Sequence, residues 1–150
     1  MILIRNSQSK IKLNIDKVQK DVEICLEALG YKGFDLGIWL TTNATIRNYN
    51  KNYRHKDKPT DILSFPYHQL KAGDKIKPQS DSDKNLGDLI ISLEYVLKKA
   101  PEYGQTLETR MPILLVHGIC HLLGYDHELD EEYKVMQRKE NWLLKKIASN

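Results

Sequence analysis

Two cysteines in 150 residues, Cys25 and Cys120, are too few for the disulfide framework that staples small secreted domains. No apolar run approaches the roughly 20 residues that a membrane span requires. The opening segment from Met1 to Lys10 carries only the short apolar run Ile2 to Ile4, so it does not read as a signal peptide. The expected setting is the cytoplasm, with no membrane partner. Charge of one sign is also scarce: a formal +3 and a pI near 8.7 are too mild to announce a nucleic-acid binder by themselves. No internal repeat is visible, and the strand-like segments are too few for a doubly wound fold. What remains is an ordinary globular composition, 41% apolar and 29% charged, at a length that suits one domain over residues 1–150.

The chain is organised around His117-Gly118-Ile119-Cys120-His121-Leu122-Leu123-Gly124-Tyr125-Asp126-His127. Leu114, Leu115, Val116, Ile119, Cys120, Leu122 and Leu123 surround the two helical histidines, which predicts a helix buried in the core. Positions i and i+4 share a helix face, so His117 and His121 project toward one point. Gly124 supplies the permissive backbone that ends the helix, and the turn through Tyr125 and Asp126 can return His127 to the same point. A lone core histidine is ordinarily just hydrogen-bonded. Burying three unpartnered rings would cost about 1 to 3 kcal/mol each, whereas a metal satisfies one nitrogen of every ring. Three neutral imidazoles with a fourth position left to water match a catalytic zinc site, with one Zn2+ per chain. Cys120 lies close enough to be weighed as a ligand. A buried free thiol acting as a small hydrophobe is the better reading, and both cysteines are taken as structural.

The HxxxHxxGxxH spacing resembles that of the metzincin proteases. Those enzymes place a glutamate directly after the first histidine as general base, and here that residue is Gly118. The missing base makes a zinc metalloprotease a minor alternative.

Elsewhere the pattern alternates. Ile2 to Arg5 and Ile11 to Leu13 carry weak strand signals, one of them expected as an edge strand. Asp16 with Gln19 reads as a capping box for a helix through Leu29, stopped by Gly30. Phe34 to Leu40 reads as a strand, and Asn43 to Tyr53 as a helix capped by Thr42 or Asn43. Ile62 to Phe65 and Leu86 to Ser92 are further strands, with a helix from Leu93 to Lys99 capped by Ser92. Tyr67 to Leu86 is long and polar, so it is expected to be functional or poorly ordered. Thr106 opens the central helix, and Pro112 inside it predicts a kink or tightened turn near Glu108 to Pro112. Beyond His127, Glu128, Asp130, Glu131 and Glu132 favour the start of a last helix. Its packing stripe is expected to include Tyr133, Met136, Trp142, Leu143 and Ile147. The fold class is α+β: a small mixed β-sheet packed against helices, with the metal site on a buried central helix.

Arg47, Lys51, Arg54, Lys56 and Lys58 crowd one segment, which suits either a solvated helix face or a phosphate-facing surface. Two further stretches extend the pattern: Tyr53-Arg54-His55-Lys56-Asp57-Lys58-Pro59-Thr60-Asp61-Ile62-Leu63-Ser64-Phe65-Pro66 and Leu86-Gly87-Asp88-Leu89-Ile90-Ile91-Ser92. With the histidine block, and in the same order, they resemble the YbeY family of bacterial single-strand-specific endoribonucleases. The three motifs run from the second third of the chain to past the metal block. The N-terminal third, the Tyr67 to Asn85 loop and the last helix add little.

The resemblance implies a zinc-dependent hydrolase that cuts single-stranded RNA in ribosomal RNA processing, including 16S rRNA 3′-end maturation, and serves ribosome quality control. Its partners would be ribosomal RNA or ribosomal particles. Carried over by position, the metal ligands are His117, His121 and His127, and the functional arginine is Arg54. His55 stands where a glycine is expected, and Pro112 interrupts an otherwise smooth helix. Asp126 reads as a residue that orients a ligand histidine or its turn; Asp61 and Asp88 are further carboxylates available for proton transfer. Tyr53 and Phe65 could stack bases, although their spacing favours the core. A non-catalytic, zinc-containing ribosome-associated factor is the competing reading from another class.

Overall fold

The computed structural model describes all residues from Met1 to Asn150. Four strands, β1 (Ile2–Asn6), β2 (Asp35–Thr41), β3 (Ile62–Pro66) and β4 (Asn85–Ser92), form one sheet in the order β1-β2-β4-β3. β1, β2 and β4 run parallel, and β3 closes one edge antiparallel to β4. The helices are α1 (Ile15–Leu29), α2 (Asn43–Arg54), α3 (Leu93–Lys99), α4 (Leu107–Leu122) and α5 (Asp130–Ala148). The expected α+β class is borne out, with β1 as the edge strand.

Helices α1, α4 and α5 pack together over one face of the sheet and enclose the main core, in which Val22, Leu40, Leu89, Ile91, Val116, Ile119 and Leu143 are fully buried. The other face is covered only in part. There α2 lays Ile46 against Leu63 and Ile90, with Trp39, Tyr49 and Phe65 around them. This asymmetry leaves part of the sheet open to solvent.

Several local expectations need correction. Helix α1 begins at Ile15 because the Asn14 side chain accepts the Lys17 N–H at 3.1 Å; Asp16 sits inside the first turn and is not the cap. Ile11 to Leu13 is no strand. The Gln8 amide closes on Ile11, donating to its carbonyl at 2.8 Å and accepting its N–H at 2.9 Å, so that backbone is satisfied without a neighbouring strand. The α-helical backbone of α4 is continuous across Pro112, so the tightened turn is not formed there. Its start is fixed instead by Thr106 and Thr109, each of which accepts the other's backbone N–H.

The long segment after β3 is tied down rather than structureless. Ile76 is buried and donates its N–H to the Tyr31 hydroxyl at 3.2 Å, and Leu70 packs on the main core. On α5 the inward stripe is Met136, Leu143 and Leu144 with Ile147, while Tyr133 and Trp142 face outward. Trp142 lies between Lys139 and Lys146, whose ammonium groups are 4.7 and 5.4 Å from its ring centroid.

Candidate metal centre

Helix α4 is buried on all sides but one, and that strip carries His117 and His121, both partly buried. Their rings meet edge to face, with Nε2 atoms 3.1 Å apart. After Leu122 the chain turns sharply: Gly124 has φ of 92°, and a Cβ there would collide with the Leu70 carbonyl. Only glycine fits both demands. The turn delivers the exposed His127, whose ring stacks near His117 at 5.5 Å between centroids. One ring nitrogen from each histidine lies within 4.8 Å of the others, a group that can hold a metal ion.

The hydrogen bonds test that fit. His121 Nδ1 lies 2.9 Å from the Tyr125 carbonyl, and His117 Nδ1 lies 2.9 Å from Glu140 Oε2. A carbonyl and a carboxylate only accept, so both Nδ1 atoms donate and both Nε2 atoms of the neutral rings carry lone pairs. Two lone pairs facing each other at 3.1 Å repel unless a cation lies between them. A tetrahedral zinc with Zn–N bonds of about 2.0 to 2.1 Å would set its ligand nitrogens about 3.3 Å apart, close to what is found. Burial, followed by the unfavourable effect of a proton beside His117 and His127, lowers the His121 pKa and so favours its neutral ring. The donor set therefore fits a metal.

Cys120 takes no part. It is fully buried, and burial above all pushes its thiol up to about 12, so it stays protonated in the core beside α1. Cys25 behaves alike, also up to about 12 through burial and then the Asp21 charge. Neither is in a disulfide.

Asp126 serves the turn: its carboxylate accepts the His127 N–H at 2.8 Å. Sequence reasoning missed Glu140, the carboxylate that holds the His117 ring. A signal was present, because Glu140 sits four residues after Met136 and three before Leu143, a charged residue on the inward stripe of α5.

Gly118 explains the missing protease base in structural terms. A Cβ there would come within 2.8 Å of Ile62 and of Leu89, because α4 crosses β3 and β4 closely at this point. The Ser64 hydroxyl also reaches the Gly118 carbonyl, at 3.5 Å. A glutamate at this position would enter the core and not the cleft.

The histidines open into a cleft of about 660 Å3, with Arg54, Thr60, Asp61 and Ser64 on the facing wall and Glu128 at the rim. Arg54 is the last residue of α2 and is exposed; it belongs to none of the ion pairs of the chain. Arg47, by contrast, is bound to Asp57 at 2.8 Å, which holds the Arg47 pKa up and the Asp57 pKa down. His55 ends α2 at φ of 58°, the left-handed position where glycine was expected. Asn50 is buried beneath this corner and donates to the Lys58 carbonyl at 2.9 Å, pinning the loop that follows Arg54. Asp61 lies in the cleft, its carboxylate accepting the Ile62 N–H at 2.7 Å, while Asp88 is on the opposite face of the sheet. Tyr53 is not core: it is 64% exposed.

A sequence profile of the YbeY family, described as "Endoribonuclease YbeY", matches residues 3–148. The chain belongs to the YbeY family. Proteins named "Endoribonuclease YbeY" include one from Aquifex aeolicus, 44% identical over 93% of this chain and 87% of that one. Another, from Homo sapiens, is 36% identical over 98% of this chain and 88% of that one. The fold is similar to the solution structure of TM1509 from Thermotoga maritima, with a TM-score of 0.64 and 25% identity over 98% of this chain and 89% of the other. In this YbeY-family chain the histidine block and the Arg54 corner line one cleft.

Proposed function

We propose that this chain is a zinc-dependent endoribonuclease that cuts single-stranded RNA in the cytoplasm, acting in ribosomal RNA processing at the 16S rRNA 3′ end and in ribosome quality control. The observation that carries the reading is the convergence of three imidazoles and one unpaired arginine on a single cleft. The family membership supports the reaction class. Residues 1–150 act as one domain in this reading, with ribosomal RNA or ribosomal particles as partners.

His117, His121 and His127 are the ligands, and one zinc held there would lower the pKa of water toward about 7 and polarise a phosphoryl oxygen. The remaining work falls to side chains of this chain. Glu140 and the Tyr125 carbonyl fix the ring tautomers and keep both Nε2 atoms directed at one point. Asp126 holds the backbone that presents His127. Arg54 offers a planar fork to two phosphate oxygens and to the charge that develops there in the transition state. Of the carboxylates lining the cleft, Asp61 stands on the side of Arg54 and is a candidate to exchange a proton with the reacting groups, while Asp126 is engaged by the His127 N–H.

The competing readings fare worse. A structural zinc is usually closed by four protein ligands, and the metal-binding group here has three members. A metalloprotease needs a base where Gly118 packs against Ile62 and Leu89. Elemental analysis of protein purified without chelator tests the cofactor directly. About one zinc per chain is expected, and none after His121→Ala; a native protein free of transition metal would overturn the proposal.

A further inference from the structure

Tyr53 and Phe65 line the metal cleft and also a second depression of about 450 Å3, which lies around the β3 edge on the uncovered face of the sheet. Strand register builds its floor. Leu3, Gly37, Asp88 and Phe65 stand in one row across β1, β2, β4 and β3. Gly37 leaves the gap in that row, and the Asp88 carboxylate lies across it, occupying the space a Cβ would take. Asp88 is exposed and belongs to none of the ion pairs of the chain.

The wall is aromatic. Tyr53 stacks on Tyr49 with rings 10° from parallel and 5.9 Å apart, and stands edge-on to Phe65 at 5.3 Å. At the far end the Arg5 guanidinium lies 4.5 Å above the Trp39 ring. The trough thus offers flat rings, an acceptor-only carboxylate on the floor and an arginine beyond it. Its near end is the wall of the cleft that holds Arg54 and the histidines.

We propose that this trough is a nucleobase subsite for guanine, filled by a nucleotide of the same strand whose phosphate lies at the metal cleft; the inference rests on the nuclease reading above. A single strand that rounds the β3 edge can drop one unstacked base against Tyr53. Base stacking on aromatic rings is indifferent to base identity, so selection falls to Asp88. A carboxylate has two acceptor oxygens, and among the four bases only guanine presents two adjacent donors, N1–H and the N2 amine, on one edge. Arg5 suits the following phosphate. A duplex cannot supply the base, because that edge is already paired.

The test separates this inference from the nuclease reading by measuring binding without cleavage. Full-length His117→Ala protein is titrated, by anisotropy, with end-labelled five-nucleotide oligouridines carrying one guanosine, one inosine or one abasic site. Inosine lacks the N2 amine, and guanosine is expected to bind about tenfold or more tightly. Tyr53→Ala, at a position 64% exposed and checked for an unchanged melting temperature, should weaken guanosine binding about 5- to 100-fold. Asp88→Asn should bring guanosine and inosine within about twofold of each other. Equal binding of all three RNAs, or variants that leave the ranking intact, would overturn the subsite, as would a trough that serves another protein. Metal-dependent cleavage by the native chain alongside base-indifferent binding would retire the trough and keep the nuclease; guanine-selective binding without any cleavage would do the reverse.

Discussion

Removing the Glu140 carboxylate tests whether the site depends on more than its three ligands. Glu140 reaches His117 across the α4–α5 contact at 2.9 Å, and both side chains are largely buried, at 21% and 30% exposure. The bond fixes the ring so that Nε2 points into the histidine cluster, where it would meet the proposed metal, and the carboxylate charge would raise the basicity of that nitrogen. Glu140→Ala frees the ring and leaves its Nδ1–H without the carboxylate. Loss of such a partner costs about 10- to 100-fold in metal affinity, or about 1.4 to 2.7 kcal/mol. In excess metal the same energy is lost from the stability of the loaded protein. For a chain of this size that is about 3 to 11 °C in melting temperature. Competition against a chelator of known affinity reads the first quantity, and melting with and without zinc reads the second. Affinity within twofold of the native protein would refute the reasoning. So would an equal fall in melting temperature with and without metal, because Glu140 would then be a packing residue only.

Two other expectations follow from the same geometry. Arg54→Ala should retain fold and zinc, changing stability by no more than about 0.5 kcal/mol, while RNA cleavage falls about 10²- to 10³-fold; Arg54→Lys should also be impaired, since a point charge cannot replace a bidentate fork. Normal turnover by either folded variant would remove the arginine from the reaction. The metal-free protein should lose stability as pH falls below the ordinary histidine value of 6.5, because burial depresses the His121 pKa and the unfolded chain takes up that proton first. Denaturant titrations at pH 7.5 and 5.5 should therefore rank in that order, and His121→Gln should flatten the difference; the opposite order would contradict the buried, neutral ring.

The convergence of His117, His121 and His127 was legible in the sequence because every part of it is local: a four-residue helical spacing, a glycine stop and a short return. Glu140 was not, because it reaches His117 across 23 residues of sequence through the docking of α5 on α4. Its place on the inward stripe could have marked it, had Trp142 not been assigned to that stripe on hydrophobicity alone. Trp142 stays outside, with the ammonium groups of Lys139 and Lys146 over its ring. The cap of α1 was misplaced for a local reason, since Asn14 and Asp16 are both good caps and only the chain path decides between them. The second trough was hidden completely. Leu3, Gly37, Asp88 and Phe65 are far apart in sequence and meet only through strand register. Arg54 lies between these cases, since its place at the end of α2 was readable but the cleft it faces was not.

In the proposed reading, three histidines and Arg54 form a metal-dependent site for cutting single-stranded RNA. Its most direct test is digestion of one labelled RNA, alone and annealed to its complement, by zinc-loaded protein, chelator-stripped protein and His117→Ala protein prepared identically. Cleavage is expected of the single strand by the loaded native protein only, restored to the stripped sample by added zinc. Equal cutting of strand and duplex, or cutting that survives His117→Ala, would contradict it.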